Sequence, residues 1–391
     1  MKIVLICQID NKNVATGIVA KKLIDELKNQ TKSIIVCNFG DFLFEDYNLN
    51  HVFNLKASSF AKKESFVKLI FMLFKYPLHE VPSILKAYFK IKETVKKFNP
   101  DITMVISHSE GLNLILLGDL LSKASNSKFY VHSTDPIPAP SNWYNNMRLH
   151  ASLVKSAKRI LKSIDYLSLS NKYMLDYELK LMGKSKKNNL HAFVVRNPSE
   201  LLSLSSLKPS QDSKIRFLYL GNIYYKRQPD MLIKVFLKLA EENPNFILQF
   251  AGIRHPILSK YNIPSNLFNN IELLPYSNEP MEYLLNADVL VDFDAPFKND
   301  VYISSKVINY LSIKKPIFSL TPENSPTSKL LESCVQTTVV ANYEEKMVYD
   351  GLLRAYNQSK QDLDFSERNS ILEKYNVKNI VNDLLKNITL S

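Results

Sequence analysis

The sequence predicts an α/β protein made of two doubly wound, Rossmann-like domains, each an open parallel sheet covered by helices. Three observations carry this. Short β-rich runs alternate with helical periodicity along nearly the whole chain. The alternation lapses over 199–213, a Leu/Ser/Lys/Pro stretch around Pro209, and then restarts. The length of 391 residues suits two domains. At 46% hydrophobic and 23% charged residues the chain has globular composition, which excludes disordered and collagen-like classes.

In order, the first-half strands are predicted at 3–7, 34–38, 102–107, 128–132, 166–170 and 192–195, with helices over 14–28, 111–124, 149–162 and 172–181. The second half places strands at 215–220, 246–251, 271–274, 289–292, 316–320 and 335–340. Its helices fall near 229–243, 279–286, 304–313, 327–332 and 343–359. In the first of these, Leu232, Val235, Phe236 and Leu239 share one face while Lys234, Lys238 and Glu241 lie elsewhere. One amphipathic run, 371–388, is left over after the second sheet is complete. The expected organisation is therefore 1–198, 199–365 and a tail, 366–391, whose helix returns to the first domain. The strand carboxyl ends of the two domains are expected to meet at a cleft.

Glycine is scarce: 8 of 391 residues, about 2% where about 7% is usual. Each one therefore carries information. Cys7, Cys37 and Cys334 are widely spaced, with no CxxC and no Cys/His cluster, which argues against a disulfide framework or zinc site and for the reducing cytoplasm. The opening Met1–Cys7 is too short for a signal-peptide core and reads as a strand. No apolar run reaches bilayer-spanning length.

The formal charge of +12 attracts anions without choosing among nucleic acid, lipid and phosphorylated small molecules, and no nucleic-acid motif is present. Residues 60–98 hold nine lysines against three glutamates, interleaved with aromatic and aliphatic residues. Such a segment suits either the surface of an anionic membrane or a core helix with a solvated lysine face.

Ligands of open α/β sheets sit beyond the strand carboxyl ends, so those loops hold the candidates. After the first strand, Gly17 opens a helix; it serves either a phosphate, through exposed N–H groups, or a tight turn. In the second half a strand ends at Gly221-Asn222, followed by Lys226-Arg227 at a helix start. These residues suit a diphosphate, or else form a solvated loop pair. Ser304 or Ser305 can cap the next candidate helix, with Lys306 in its first turn. A lysine there opposes the helix dipole, which makes sense if an anion is bound; otherwise Lys306 is solvated. Asp292-Phe293-Asp294 spells Asp-x-Asp, with a hydroxyl-binding or structural role favoured over a metal site. For acid–base work the candidates are His108, His132 and Asp135, the last two reading equally as a satisfied strand-end histidine and a turn aspartate before Pro136.

The ordered set of these clusters resembles the two-domain GT-B glycosyltransferases, in the style of the glycosyltransferase 1/4-like group, over nearly the whole chain. The residues carrying the resemblance are Gly17, Ser107-His108, the run Val131 to Pro136, Asp165 through Ser170, Arg196-Asn197-Pro198 and Leu220-Gly221-Asn222 with Arg227 to Asp230. Further on they are 271–275 with Glu279, Ala287-Asp288-Val289, Ser305 to Leu311, and Lys315-Pro316-Ile317. The resemblance implies transfer of a sugar from a UDP- or GDP-linked donor to a saccharide or lipid-linked acceptor. It implies neither cofactor nor metal, and favours a retaining mechanism that needs no dedicated base. The setting implied is cell-surface polysaccharide or glycan assembly on the cytoplasmic side, peripheral to the membrane through 60–98. A sugar-nucleotide epimerase of the same fold, or a catalytically weak partner subunit, is the alternative.

The departures from the family pattern are specific. Its first diphosphate-binding arginine falls on Asn222, leaving Arg227 or Lys226. Its paired glutamates fall on Val301 and Asn309. An amide at 309 can still take ribose hydroxyls. Val301 has no polar side chain for the donor sugar, and Asp300 or Asp294 is the candidate substitute.

Overall fold

The computed structural model describes residues 1–10, 15–31, 33–40, 42, 51–55, 81–109, 111–183, 188–199, 213–223, 226–252, 260–261, 263–277, 280–334, 336–362 and 364–389. The chain forms two compact units. Unit 1 comprises Met1–Pro198 with Tyr375–Ser391, and unit 2 comprises Ser199–Lys374.

Unit 1 runs β1 (Lys2–Cys7), α1 (Ala15–Gln30), β2 (Ser33–Asn38), β3 (His51–Asn54), α2 (Val81–Phe98), β4 (Ile102–Ser107) and α3 (Leu112–Ser125). It continues through β5 (Lys128–Ser133), α4 (Met147–Ile160), β6 (Tyr166–Leu169), α5 (Lys172–Met182) and β7 (His191–Val194). The strands form one parallel sheet in the order β3-β2-β1-β4-β5-β6-β7. The edge strand β3 has no counterpart in the sequence reading, because Val52 and Phe53 are its only apolar residues, too few to stand out as a strand. α2 buries Ile84, Ala87, Ile91 and Val95, a spacing of three and four that makes one stripe. Residues 60–80 of the basic segment lie outside the described residues.

Unit 2 runs β8 (Ile215–Leu220), α6 (Asp230–Glu242), β9 (Phe246–Ala251), β10 (Ile271–Leu274), α7 (Met281–Asn286) and β11 (Val289–Phe293). Then come α8 (Ser305–Leu311), β12 (Ile317–Leu320), α9 (Pro326–Glu332), β13 (Thr337–Val340), α10 (Glu345–Ser359) and α11 (Glu367–Leu372). Its sheet is parallel in the order β10-β9-β8-β11-β12-β13. The predicted face of α6, Leu232, Val235, Phe236 and Leu239, is buried against β8, β9 and β11 residues such as Phe217, Phe246 and Phe293. α10 lies close on the sheet: a Cβ added at Gly351 falls 2.5 Å from Val340 Cγ2 and 3.0 Å from Phe318 Cε2. Glu279, expected in α7, lies outside the described residues.

The amphipathic tail is not one helix. α11 stays with unit 2 because its Arg368, buried to 1% exposure, donates to the carbonyls of Ile313, Lys315 and Gln336. The chain then breaks at Asn376, whose side chain accepts from the Lys378 N–H at the start of α12 (Val377–Thr389). α12 packs Ile380, Val381, Leu384 and Ile388 into the core of unit 1, beside Ile3, Leu5, Met104 and the α1 residues Leu23 and Leu27.

Candidate functional site

In the second sheet the strand order reverses between β8 and β11, the place where open α/β sheets bind ligands. β8 ends at Gly221, whose φ of +118° is one that side-chain-bearing residues rarely adopt. A Cβ there would meet the Lys306 Cδ at 3.3 Å, so the lysine stem lies directly over this backbone. Gly252 after β9 has φ +83°, and a Cβ there would lie 3.8 Å from the Gly221 Cα.

On β11, Val289, Val291 and Phe293 enter the core, so the alternate position Asp292, and Asp294 just beyond, face the other way. Both carboxyl groups are buried, and each meets one of the predicted cations. Arg227 Nη2 lies 2.9 Å from Asp294 Oδ1. The other Asp294 oxygen accepts from Thr321 Oγ1 at 2.9 Å, and the Asp294 carbonyl accepts from the Tyr343 hydroxyl at 3.1 Å. Lys306 Nζ lies 3.8 Å from Asp292 Oδ1 and 4.9 Å from the Tyr219 ring centroid. The same Asp292 oxygen accepts from Ser304 Oγ at 3.0 Å.

A third carboxyl group closes the cluster. Asp300 Oδ1 accepts from the backbone N–H groups of Val301 at 2.9 Å and Tyr302 at 3.3 Å. Its Oδ2 is buried without a hydrogen-bond partner among the described residues, as is Asp292 Oδ2. Burial, with the Asp294 carboxylate next, pushes the Asp300 carboxyl up to about 7. Asp292 is also raised, by burial and then Asp294, against the pull of Lys306 and Arg227. Burial works against the charge on Arg227, yet Asp294 and Asp292 more than offset it and hold the guanidinium above its ordinary value.

Gly221, Asn222, Arg227, Asp294, Asp300, Ser304 and Lys306 thus share one neighbourhood. Several local expectations are replaced by better-defined contacts. Ser304 occupies the N-cap position of α8, but its hydroxyl serves Asp292 rather than the helix, and Ser305 is exposed. Lys306 faces the protein's own Asp292 instead of open solvent. Arg227 is buried, not a solvated loop residue, and Lys226 beside it is half-buried. Asn309 Oδ1 accepts from Ser199 Oγ at 2.8 Å. Asn222 gives its carbonyl to the Tyr219 hydroxyl at 3.0 Å. Among the described residues no group of three or more His, Cys, Asp or Glu side chains is arranged to hold a metal ion.

The remaining candidates belong to unit 1. Gly17 is the third residue of α1, and a Cβ there would make only an ordinary 3.6 Å contact with the Ile9 Cα. His108 is half-buried in the turn after β4, where its carbonyl accepts from the Gly111 N–H at 2.9 Å. His132 is fully buried in β5, its Nδ1 2.9 Å from Ser168 Oγ, which is in turn 2.7 Å from the Tyr130 hydroxyl. Burial pushes His132 down to about 4, so it is neutral at physiological pH. Asp135, half-buried, follows in a loop whose Ile137 N–H donates to Glu178 Oε2 at 2.8 Å.

Tyr310, inside the 305–311 run that carries the resemblance, accepts from the Leu220 N–H at 2.8 Å at the end of β8; sequence reasoning did not find Glu178, Thr321 or Tyr343. None carries a local pattern. Each is recruited from a separate element, and an acidic residue in a helix reads as surface.

No family model and no curated protein matches the chain by sequence. Solved structures match it over its whole length. They include a glycosyltransferase from Rickettsia africae at TM-score 0.70 and 13% identity, covering 98% of this chain and 97% of that one. Another is HepE of Anabaena in complex with UDP, at 0.63 and 13%, covering 100% of both. Sucrose-phosphate synthase from Thermosynechococcus elongatus matches at 0.68 and 11%, covering 99% and 98%. At these identities the likeness is one of fold: the chain has the two-unit α/β architecture of the GT-B glycosyltransferases.

Proposed function

We propose that the chain is a glycosyltransferase that takes a sugar from a nucleotide-diphosphate donor, UDP- or GDP-linked, and passes it to a saccharide or lipid-linked acceptor. The observation that carries the reading is the gathering of two cations at the carboxyl end of β11, Arg227 on Asp294 and Lys306 on Asp292, with the Lys306 stem lying over Gly221 at the end of β8. A glycine backbone lets a diphosphate approach, and two cations meet the charge that develops on the leaving group. On this reading Arg227 and Lys306 do the work of a metal, and none is required. Asp292 and Asp294 hold the two cations in place until phosphate oxygens arrive. Chemistry with retention needs no dedicated base, which suits a His132 that is neutral and enclosed.

The pathway proposed is cell-surface polysaccharide or glycan assembly at the cytoplasmic membrane face. α2 supports this part of the reading. It exposes Leu85 and Phe89, the latter 62% exposed, next to the exposed Lys86 and Lys90. Apolar insertion and about 1 kcal/mol per lysine near an anionic leaflet suit peripheral binding. Among the described residues no helix is long and apolar enough to cross a membrane. Co-sedimentation with anionic but not neutral vesicles, lost in Phe89→Asp, is the expected result; equal binding to both ends the membrane part.

Titration with UDP and GDP by calorimetry tests the donor site. Binding of one of them, weakened tenfold or more by Arg227→Ala and by Lys306→Ala, is expected. Val301, apolar where a donor-sugar ligand is expected, favours one second reading, a partner subunit of weak activity. Nucleotide binding without donor turnover would point there.

A further inference from the structure

Three buried carboxyl groups, Asp292, Asp294 and Asp300, share a neighbourhood with two cations, and both cations are already committed. Arg227 belongs to Asp294 and Lys306 to Asp292. Asp300 accepts from two backbone N–H groups on Oδ1 and feels Arg227 as a nearby charge, while its Oδ2 is enclosed and, among the described residues, without a hydrogen-bond partner. An ionised carboxylate with a dry, unpartnered oxygen is costly, and a proton on that oxygen turns it into a donor.

Bringing in a nucleoside diphosphate makes the imbalance larger. The phosphates take Arg227 and Lys306 for themselves and add negative charge beside three carboxyl groups. We infer that Asp300 enters the loaded site as a neutral carboxylic acid, its enclosed Oδ2 protonated from bulk solvent, so that nucleoside-diphosphate binding takes up a proton. The inference rests on the donor-site reading above and assigns Asp300 a role within it, that of a carboxyl group kept neutral beside the phosphates.

The groups acting on Asp300 come from several elements. They are Asp294 beyond β11, Arg227 from the β8–α6 connection, and Tyr343 after β13. Asp292 on β11 and Lys306 on α8 form the adjoining pair. Asp300 combines an oxygen unpartnered among the described residues with a carboxyl pushed up to about 7, whereas Asp292, also raised, accepts from Ser304 and faces Lys306. Above that value the free site is ionised and must gain the proton on binding.

The experiment is calorimetric titration of the whole chain with UDP, and with GDP if UDP does not bind, between pH 7 and pH 8.5. Buffers of low and high ionisation enthalpy are compared, so that protons exchanged appear as the difference in heat. The expected result is net proton uptake, approaching one proton per nucleotide at pH 8, with affinity falling several-fold to tenfold over the upper unit. Asp300→Asn retains binding but loses both the uptake and the pH slope, because an amide is neutral throughout. Glu178→Gln, in unit 1, leaves the uptake unchanged. Nucleotide binding with no proton exchange in the wild-type chain overturns the inference and leaves the donor site intact. Binding of neither nucleotide at any pH overturns the donor-site reading itself. Because the wild-type measurement is decisive, the test survives a variant that fails to fold.

Discussion

Single residues in this protein are set by what surrounds their charge. Asp294 is nearly inaccessible and neutralises the buried Arg227 at 2.9 Å. Removing one partner of a buried pair leaves the other unsolvated, so Asp294→Ala is expected to cost about 3–5 kcal/mol in urea unfolding. A loss below 1 kcal/mol would mean that water reaches Arg227. Glu178 gives a pH signature. Burial, less the Ile137 N–H bond, pushes its carboxyl up to about 8, whereas an unfolded carboxyl ionises near its ordinary 4.5. Between those values unfolding releases a proton, so this group stabilises fully at low pH and its contribution fades as pH rises to 8. Melting temperature is therefore expected to fall from pH 5 to pH 8.5, and Glu178→Gln, which keeps an acceptor for Ile137, is expected to flatten the decline. An unchanged slope would refute the assignment.

At the scale of elements, helix-to-sheet distance decides what a glycine means. Gly351 allows α10 to sit against Val340 and Phe318, and its replacement by alanine forces an overlap expected to cost about 1–3 kcal/mol. Gly17 lies in α1 with ordinary space around it, so Gly17→Ala is expected to gain about 0.5–1 kcal/mol by removing helix-interior flexibility. Thermal unfolding separates the two signs. Both glycines look alike in the sequence; only the approach of a neighbouring strand distinguishes them. The same holds for Ser304, legible as a cap because it precedes a helical period, yet drawn off by Asp292, which is twelve positions earlier in sequence. The elements themselves were legible wherever periodicity ran long enough, as along α6. They were illegible where the apolar signal was too thin, as in β3 with only Val52 and Phe53.

For the whole molecule, the chain returns to unit 1 through α12, which completes the core over β1, β4 and α1. Leu384→Ala is expected to cost about 2–5 kcal/mol. Hydrogen exchange is expected to place that loss in β1, β4 and α1 and to leave β8–β13 protected. Loss spread evenly over both sheets would contradict the division of the chain.

What the sequence determined by itself is the alternation of strands and helices, and with it two parallel sheets, because hydrophobic periodicity and strand-end glycines are local properties. It also marked Gly221, Arg227 and Lys306 as candidates, since an anion site needs flexible backbone and cations at strand ends, and the resemblance added Asp300 as a substitute for Val301. Tertiary structure alone decided that those cations already face Asp294 and Asp292, that His132 is sealed in a hydrogen-bonded chain with Ser168 and Tyr130, and that Asp300 keeps an oxygen unpartnered among the described residues. Charge pairing and desolvation depend on which elements the fold brings together, from Lys306 and Asp292 on neighbouring elements to Arg227 and Asp294 much further apart in sequence, and no local pattern encodes those meetings.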